Sequence, residues 1–178
     1  QKNKEYFKKL DRLIDESIDD ITKEYFKIIK KTVLEGKAIK EIVDLCSVEK
    51  QYFLKCFKGK LDGVNFVDAG AYTGDTVREI LSGEYIKPDR IYCFEADYAN
   101  FIRLLGFRNQ CKEKDKIYCE NYALWDMHTK LGMKFANYNA RVDLESKETL
   151  VETVTIDEYF KNIKVGFIKM DIEGAERH

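Results

Sequence analysis

Residues Val67 to Thr76 read VDAGAYTGDT, and this stretch decides the fold. An apolar run (Val64, Phe66, Val67) precedes it and a helix-like run (Val77, Ile80, Leu81) follows. That order describes a buried strand, a tight glycine turn and a helix start. Such a turn exposes backbone N–H groups and removes side-chain bulk, so a small molecule can lie against the main chain. Asp68 closes the strand and Asp75 opens the helix, with no Lys or Arg in the turn to offset them. Two carboxylates would repel a pyrophosphate. A ligand with a cationic head suits the turn better, and S-adenosylmethionine carries both an ammonium and a sulfonium.

The next strand, Arg90 to Ala96 (RIYCFEA), ends in Glu95. Doubly wound folds place a ribose-binding acid about 20 residues beyond the glycine turn. A carboxylate can accept hydrogen bonds from both the 2′ and 3′ hydroxyls. Alone, Glu95 would read equally well as a strand-end surface acid; beside the glycine turn the binding reading prevails. Neither Asp68 nor Glu95 is expected in the core.

Composition bounds the remainder. The chain has 178 residues, is 44% hydrophobic and 35% charged, and contains one proline, Pro88, as a helix-rich globular protein would. A net charge of −1 gives no reason to expect nucleic acid or anionic membrane as partner. No apolar run reaches the ~18 residues of a membrane span, and Gln1 to Leu10 has no signal-peptide core. The five cysteines form no Cys-x-x-Cys pair and read as reduced thiols of a cytoplasmic protein.

Organisation changes near Gly59 to Gly63. Before it, Tyr6, Phe7, Leu10, Leu13, Ile14, Ile18 and Ile21 recur at helical spacing, continued by Tyr25, Phe26, Ile28, Ile29 and Val33 up to Gly36. A shorter helix is expected over Ala38 to Leu45. Another is expected behind Ser47, carrying Tyr52, Phe53, Leu54 and Phe57. Residues 1–60, with 15 basic and 11 acidic side chains, are expected to form a helical segment and residues 61–178 the second domain. The helices should pack beside the first strand, and they offer a surface for homo-oligomer formation.

From Val64 onward strands and helices alternate, the sign of a parallel sheet covered on both faces. Strands are expected at Val64 to Ala69, Arg90 to Glu95, Ile117 to Tyr122 and Val165 to Met170, with helices at Gly74 to Ser82 and from Tyr98 to near Asn109. Lys130 to Ala136 and Thr149 to Ile156 read as an antiparallel insertion. Asp157 is expected to cap a short helix, Glu158 to Lys161.

Five stretches in order carry a resemblance: VDAGAYTGDT (67–76), FEA (94–96), NYALWD (121–126), TIDEYF (155–160) and IKMDIEGAE (168–176). With them the sequence resembles the FkbM-like methyltransferases. The resemblance implies an α/β fold with a Rossmann-like class I methyltransferase doubly wound sheet, S-adenosylmethionine as cofactor, and transfer of a methyl group to an oxygen, often a sugar hydroxyl. Carried across, Asp68, Gly70, Tyr72, Thr73, Gly74, Asp75 and Thr76 match the cofactor turn. Glu95 matches the ribose acid, with Ala96 and Asp97 flanking the adenosine. Asn121, Ala123 and Leu124 match the loop passing the adenine. Asp171 and Glu173 match the acids where donor and acceptor meet. Residues 1–60 match nothing in the family. The chain stops at His178, directly behind the last motif, so three further strands and part of the acceptor pocket are expected to lie outside these residues.

An acceptor hydroxyl needs to lose a proton, and Asp171 is the candidate base; it reads equally as a ligand of the methionine ammonium or a helix cap. Glu173 could orient the acceptor. Asp171, Glu173 and Asp126 offer oxygen ligands, but nothing fixes octahedral spacing, so no metal is expected. Trp125 reads as packed core edge and His128 as solvent-facing, with pocket roles as the alternative. Two other functions share parts of the pattern: a nicotinamide-dependent oxidoreductase, whose turn should read GxGxxG, and a non-catalytic interaction module built on the N-terminal helices.

Overall fold

The computed structural model describes residues 7–9, 11–12, 15, 19–35, 52–53, 57–83, 85–136, 139–142, 149–172 and 175–176. The helix expected over 38–45, the start behind Ser47, the Gly36 stop, Leu54 and Glu173 lie outside them. The chain divides into two compact units, Gln1–Lys50 and Gln51–His178.

In the first unit, helix α1 spans Asp20–Glu35. It does not continue the preceding apolar pattern without interruption. Asp19 is non-helical and caps α1: its carboxylate accepts the Thr22 N–H at 3.0 Å and the Thr22 hydroxyl at 2.8 Å. Tyr25, Ile29, Val33 and Leu34 are exposed on α1.

The second unit is built on a four-stranded parallel sheet in the order β3-β2-β1-β8. Its strands are β1 (Asn65–Ala69), β2 (Arg90–Phe94), β3 (Ile117–Glu120) and β8 (Val165–Met170). A second sheet runs β4-β7-β5-β6, from β4 (Ala123–Leu124), β5 (Lys130–Ala136), β6 (Asn139–Val142) and β7 (Leu150–Val154). As the sequence suggests, β5 and β7 pair antiparallel; β6 also pairs antiparallel with β5, while β4 joins β7 in parallel.

Alternation along the parallel strands separates two cores. One face carries Phe66, Ile91, Cys93 and Ile117, all buried. It is covered by α2 (Asp75–Leu81) through Val77 and Ile80, by α3 (Tyr98–Gln110) through Leu104, and by Phe53. The opposite face carries Val67, Ala69, Tyr92 and Phe94, packed on Leu124 and on Phe160. The rings of Tyr92 and Phe160 meet edge to face at 5.1 Å, an arrangement that favours aromatic pairs beyond burial alone.

Tyr52 and Phe53 depart from the expected helix: Tyr52 lies in a bend and Phe53 in no regular element. Phe53 is fully enclosed, 5.9 Å from the Phe66 ring and 6.5 Å from Tyr85. Burying it contributes ~1.5–3 kcal/mol, enough to override helix propensity in so short a stretch. Phe57 meets Phe167 of β8 edge-on at 5.8 Å, so Phe53 and Phe57 both lie against the sheet.

The short helix before β8 is α4, Ile156–Tyr159. Its cap is Thr155, not Asp157: the Thr155 hydroxyl accepts the Glu158 N–H at 3.0 Å. Thr155 still has the extended backbone of the strand it follows, which is the conformation a cap requires.

Candidate functional site

The carboxyl ends of β1, β2 and β8 converge on the glycine turn. Gly70 has φ +77°, and its N–H and that of Ala71 donate to the Phe94 carbonyl at 3.0 and 2.9 Å. The Asp171 N–H in turn donates to the Ala69 carbonyl at 3.0 Å. A side chain on Gly70 would collide with the Asp171 carbonyl, so this glycine lets the ends of β1 and β8 close together. Gly74, at φ +87°, brings α2 against α3: a Cβ there would stand 2.6 Å from the Phe107 ring.

Glu95 ties the turn to β2. Its Oε2 accepts the Tyr72 N–H at 2.7 Å and its Oε1 the Asp97 N–H at 2.8 Å. Tyr72 is a non-glycine residue at φ +49°, a sparsely populated conformation, and the bond from Glu95 holds it there. Burial is the main cause that pushes the Glu95 carboxyl up to about 7, against the two backbone donors that lower it. Each carboxylate oxygen keeps acceptor capacity beyond its one backbone bond.

Asp68 is fully buried and Glu95 is 7% exposed, so the expectation that both stay out of the core is overturned. Glu95 is buried with its two backbone donors, and Asp68 with Lys169. Its ammonium stands 3.0 Å from Asp68 Oδ1 and donates to the Gly70 carbonyl at 2.8 Å. The compensating cation absent from the turn thus arrives from β8, where Lys169 is the register partner of Asp68. Lys169 is itself buried, and the Tyr52 ring lies 5.4 Å from its nitrogen. The ion pair lies off the ideal hydrogen-bond direction, and Asp68 Oδ2 has no hydrogen-bond partner among the described residues. Burial dominates here too, pushing the Asp68 carboxyl up to about 6 against the pull of Lys169. The same register row continues through Cys93 to Cys119, so a polar line crosses the sheet just below the turn.

The other expected residues fall around this edge. Asp75 is exposed, Thr73 half-buried and Thr76 buried in α2. Ala96 and Asp97 are half-buried; Asp97 caps α3, accepting the Ala99 and Asn100 N–H groups at 2.7 and 3.1 Å. The Asn121 amide donates to the carbonyls of Glu95 and Ala96 at 2.7 and 3.2 Å, closing the loop behind β2. Ala123 is half-buried, whereas the Leu124 side chain is buried in the core. Asp171 is exposed at the end of β8, and its Oδ2 accepts the Tyr52 hydroxyl at 3.1 Å. His128 is exposed; Trp125 is half-buried and its backbone N–H donates to the Val154 carbonyl at 3.1 Å. Among the described residues no three His, Cys, Asp or Glu side chains cluster as metal ligands. None of their helices is long and apolar enough to cross a membrane.

Tyr52 and Lys169 were not singled out by sequence reasoning. Lys169 did leave a signal: a lysine inside the apolar run VGFIKM must find an acid if the strand is buried. Tyr52 left none, because its partner is 119 positions away.

No curated protein matches this chain. A crystal structure of Methyltransferase FkbM from Methylobacillus flagellatus KT superimposes with a TM-score of 0.63 at 16% identity. The alignment covers 94% of this chain and 41% of that one, so the chain spans less than half the length of that protein, and the likeness shows the fold. Residues 68–178 match the methyltransferase FkbM domain. That match takes in the glycine turn, Glu95, the Asn121 loop and the Asp171 strand end, and the chain belongs to the FkbM methyltransferase domain family.

Proposed function

We propose that the chain is the donor-binding part of an S-adenosylmethionine-dependent methyltransferase acting on a sugar or other hydroxyl acceptor. The observation that carries this reading is the charge arrangement at the strand ends. Asp68, Asp75, Glu95 and Asp171 gather around the glycine turn, and Lys169 answers Asp68 from within the core. That edge is net negative and suits a ligand whose head carries an ammonium and a sulfonium. A pyrophosphate would meet repulsion there, which disfavours a dinucleotide.

When bound, the cofactor supplies a methyl carbon made electrophilic by its sulfonium. Glu95 has the acceptor capacity to hold the two ribose hydroxyls, and it fixes the Tyr72 backbone beside them. Asn121 holds the main chain of Glu95 and Ala96 in the shape the adenosine would follow, with Ala96, Asp97 and Ala123 at its side. Asp68, wholly enclosed, acts by field and by anchoring Lys169 against the Gly70 carbonyl, not by touching the ligand. Asp171 is open to solvent at the end of β8, where it can accept a proton from the acceptor hydroxyl; Glu173 would orient that acceptor. Alignment and removal of water supply the remaining acceleration.

Calorimetry with S-adenosylhomocysteine and with NADH tests this directly. Binding of the first and not the second is expected; NADH binding without S-adenosylhomocysteine binding would make the chain an oxidoreductase fold and end this reading.

A further inference from the structure

The contact between Tyr52 and Asp171 joins two parts of the second unit that sequence keeps far apart. Asp171 follows β8, while Tyr52 lies before β1 and outside the matched region 68–178. Three observations make Tyr52 more than a surface phenol. Its neighbour Phe53 is locked into the sheet core, so the backbone that carries Tyr52 is fixed. Its hydroxyl reaches Asp171 Oδ2 at 3.1 Å. Its ring lies 5.4 Å from the Lys169 ammonium, within range of cation–π attraction. Lys169 and Asp171 are two positions apart, so one tyrosine spans the buried ion pair and the exposed carboxylate beyond it.

We infer that Tyr52 is a positioning residue for Asp171: it orients one carboxylate oxygen and leaves the other, Oδ1, to face the acceptor. The inference rests on the proposed methyltransferase reading. A carboxylate at an exposed strand end would otherwise sample several rotamers, and a proton acceptor is effective only when aimed. The phenol is suited to the task because it stays protonated. Burial first, then the Asp171 charge and hydrogen bond, push it up to about 12, so it donates throughout the neutral range. Tyr52 therefore cannot be the base itself. Through the ring it also senses Lys169, which bonds the Gly70 carbonyl, so the aim of Asp171 is tied to the cofactor turn.

Two measurements test the inference on separate grounds. The first is titration of the Tyr52 ring by 13C-labelled tyrosine NMR in the natural full-length protein and in Asp171→Asn. The Tyr52 midpoint should lie near 12 in the wild type and fall clearly in the variant. An unchanged midpoint overturns the contact, whatever the protein catalyses. The second compares Tyr52→Phe, which keeps the ring over Lys169 and removes only the hydroxyl, with wild type. The probes are S-adenosylhomocysteine by calorimetry and labelled S-adenosylmethionine with the sugar acceptor that supports turnover. Cofactor affinity and melting temperature should hold, while kcat falls about 10-fold at little change in acceptor KM. That is the low end for a bond to a charged group, because this one is solvent-exposed. Wild-type kcat in Tyr52→Phe overturns the positioning role. A wild-type protein that fails to bind S-adenosylhomocysteine overturns the methyltransferase reading and the catalytic use of the contact together, and the NMR titration still decides the contact itself.

Discussion

The carboxyl ends of β1 and β2 carry the same chemical group in opposite settings. At the end of β1, Asp68 is enclosed, faces the buried Lys169 ammonium and receives no backbone N–H among the described residues. At the end of β2, Glu95 receives two backbone N–H groups, and among the described residues no cation pairs with it. In sequence the two acids look interchangeable, each closing an apolar run beside the glycine turn. In three dimensions Asp68 is part of the scaffold, and Glu95 is the group with acceptor capacity facing the turn. A strand-end acid is therefore assigned by its partner, and that partner can come from a strand a hundred residues on.

The largest expected effect breaks the β1 side. Lys169→Met removes the cation from a fully buried carboxylate, and leaving such a charge uncompensated costs ~3–5 kcal/mol. Urea denaturation should show that loss; Asp68→Asn combined with Lys169→Met should recover part of it. Equal stability of Lys169→Met and wild type would show that Asp68 is not charged in the folded protein.

The β2 side should respond in binding. Glu95→Gln weakens S-adenosylhomocysteine binding by ~1.5–3 kcal/mol, the magnitude of a lost hydrogen bond to a charged group, and the chain should stay folded. Loss of stability on the scale of Lys169→Met with unchanged affinity would erase the distinction between the two acids.

A gentler effect sharpens it through pH. The Glu95 carboxyl, at about 7, and that of Asp68, at about 6, both titrate above an ordinary unfolded carboxyl near ~4. The folded state therefore retains protons that the unfolded state has released. The stability these groups contribute is complete below pH ~4 and is lost as pH rises through about 6 to 7. Melting curves from pH 5.5 to 8 should show wild type losing stability relative to Glu95→Gln. A constant difference across that window would contradict the raised Glu95 value. The smallest effect is local: Asp97→Ala removes the α3 cap at a cost of ~1 kcal/mol, read from the urea midpoint.

Much of this architecture was legible in the sequence because its signals are local. The run Asn65–Ala69, the glycines at 70 and 74, and the apolar strands at 90–94 and 165–170 each announce themselves within a few residues. The two-residue strand β4 and the bend at Tyr52 did not, since their form depends on long-range pairing: Ala123 with Thr153, and Phe53 with Phe66. The site followed the same division. The strand-end place of Glu95 and the glycine turn were readable by spacing as positions in the fold, whereas the Asp68–Lys169 pair required knowing that β8 lies beside β1 in register.

On the proposed reading, the methyl donor lies across the ends of β1, β2 and β8 with Glu95 at its ribose. The most direct measurement is an amide NMR titration of the isotopically labelled protein with S-adenosylhomocysteine. The largest shifts should appear at Gly70, at Ala96, and at Tyr72 and Asp97, whose N–H groups bond Glu95, and they should vanish in Glu95→Gln at the same ligand concentration. Shifts confined to other parts of the second unit, or shifts that persist undiminished in Glu95→Gln, would contradict it.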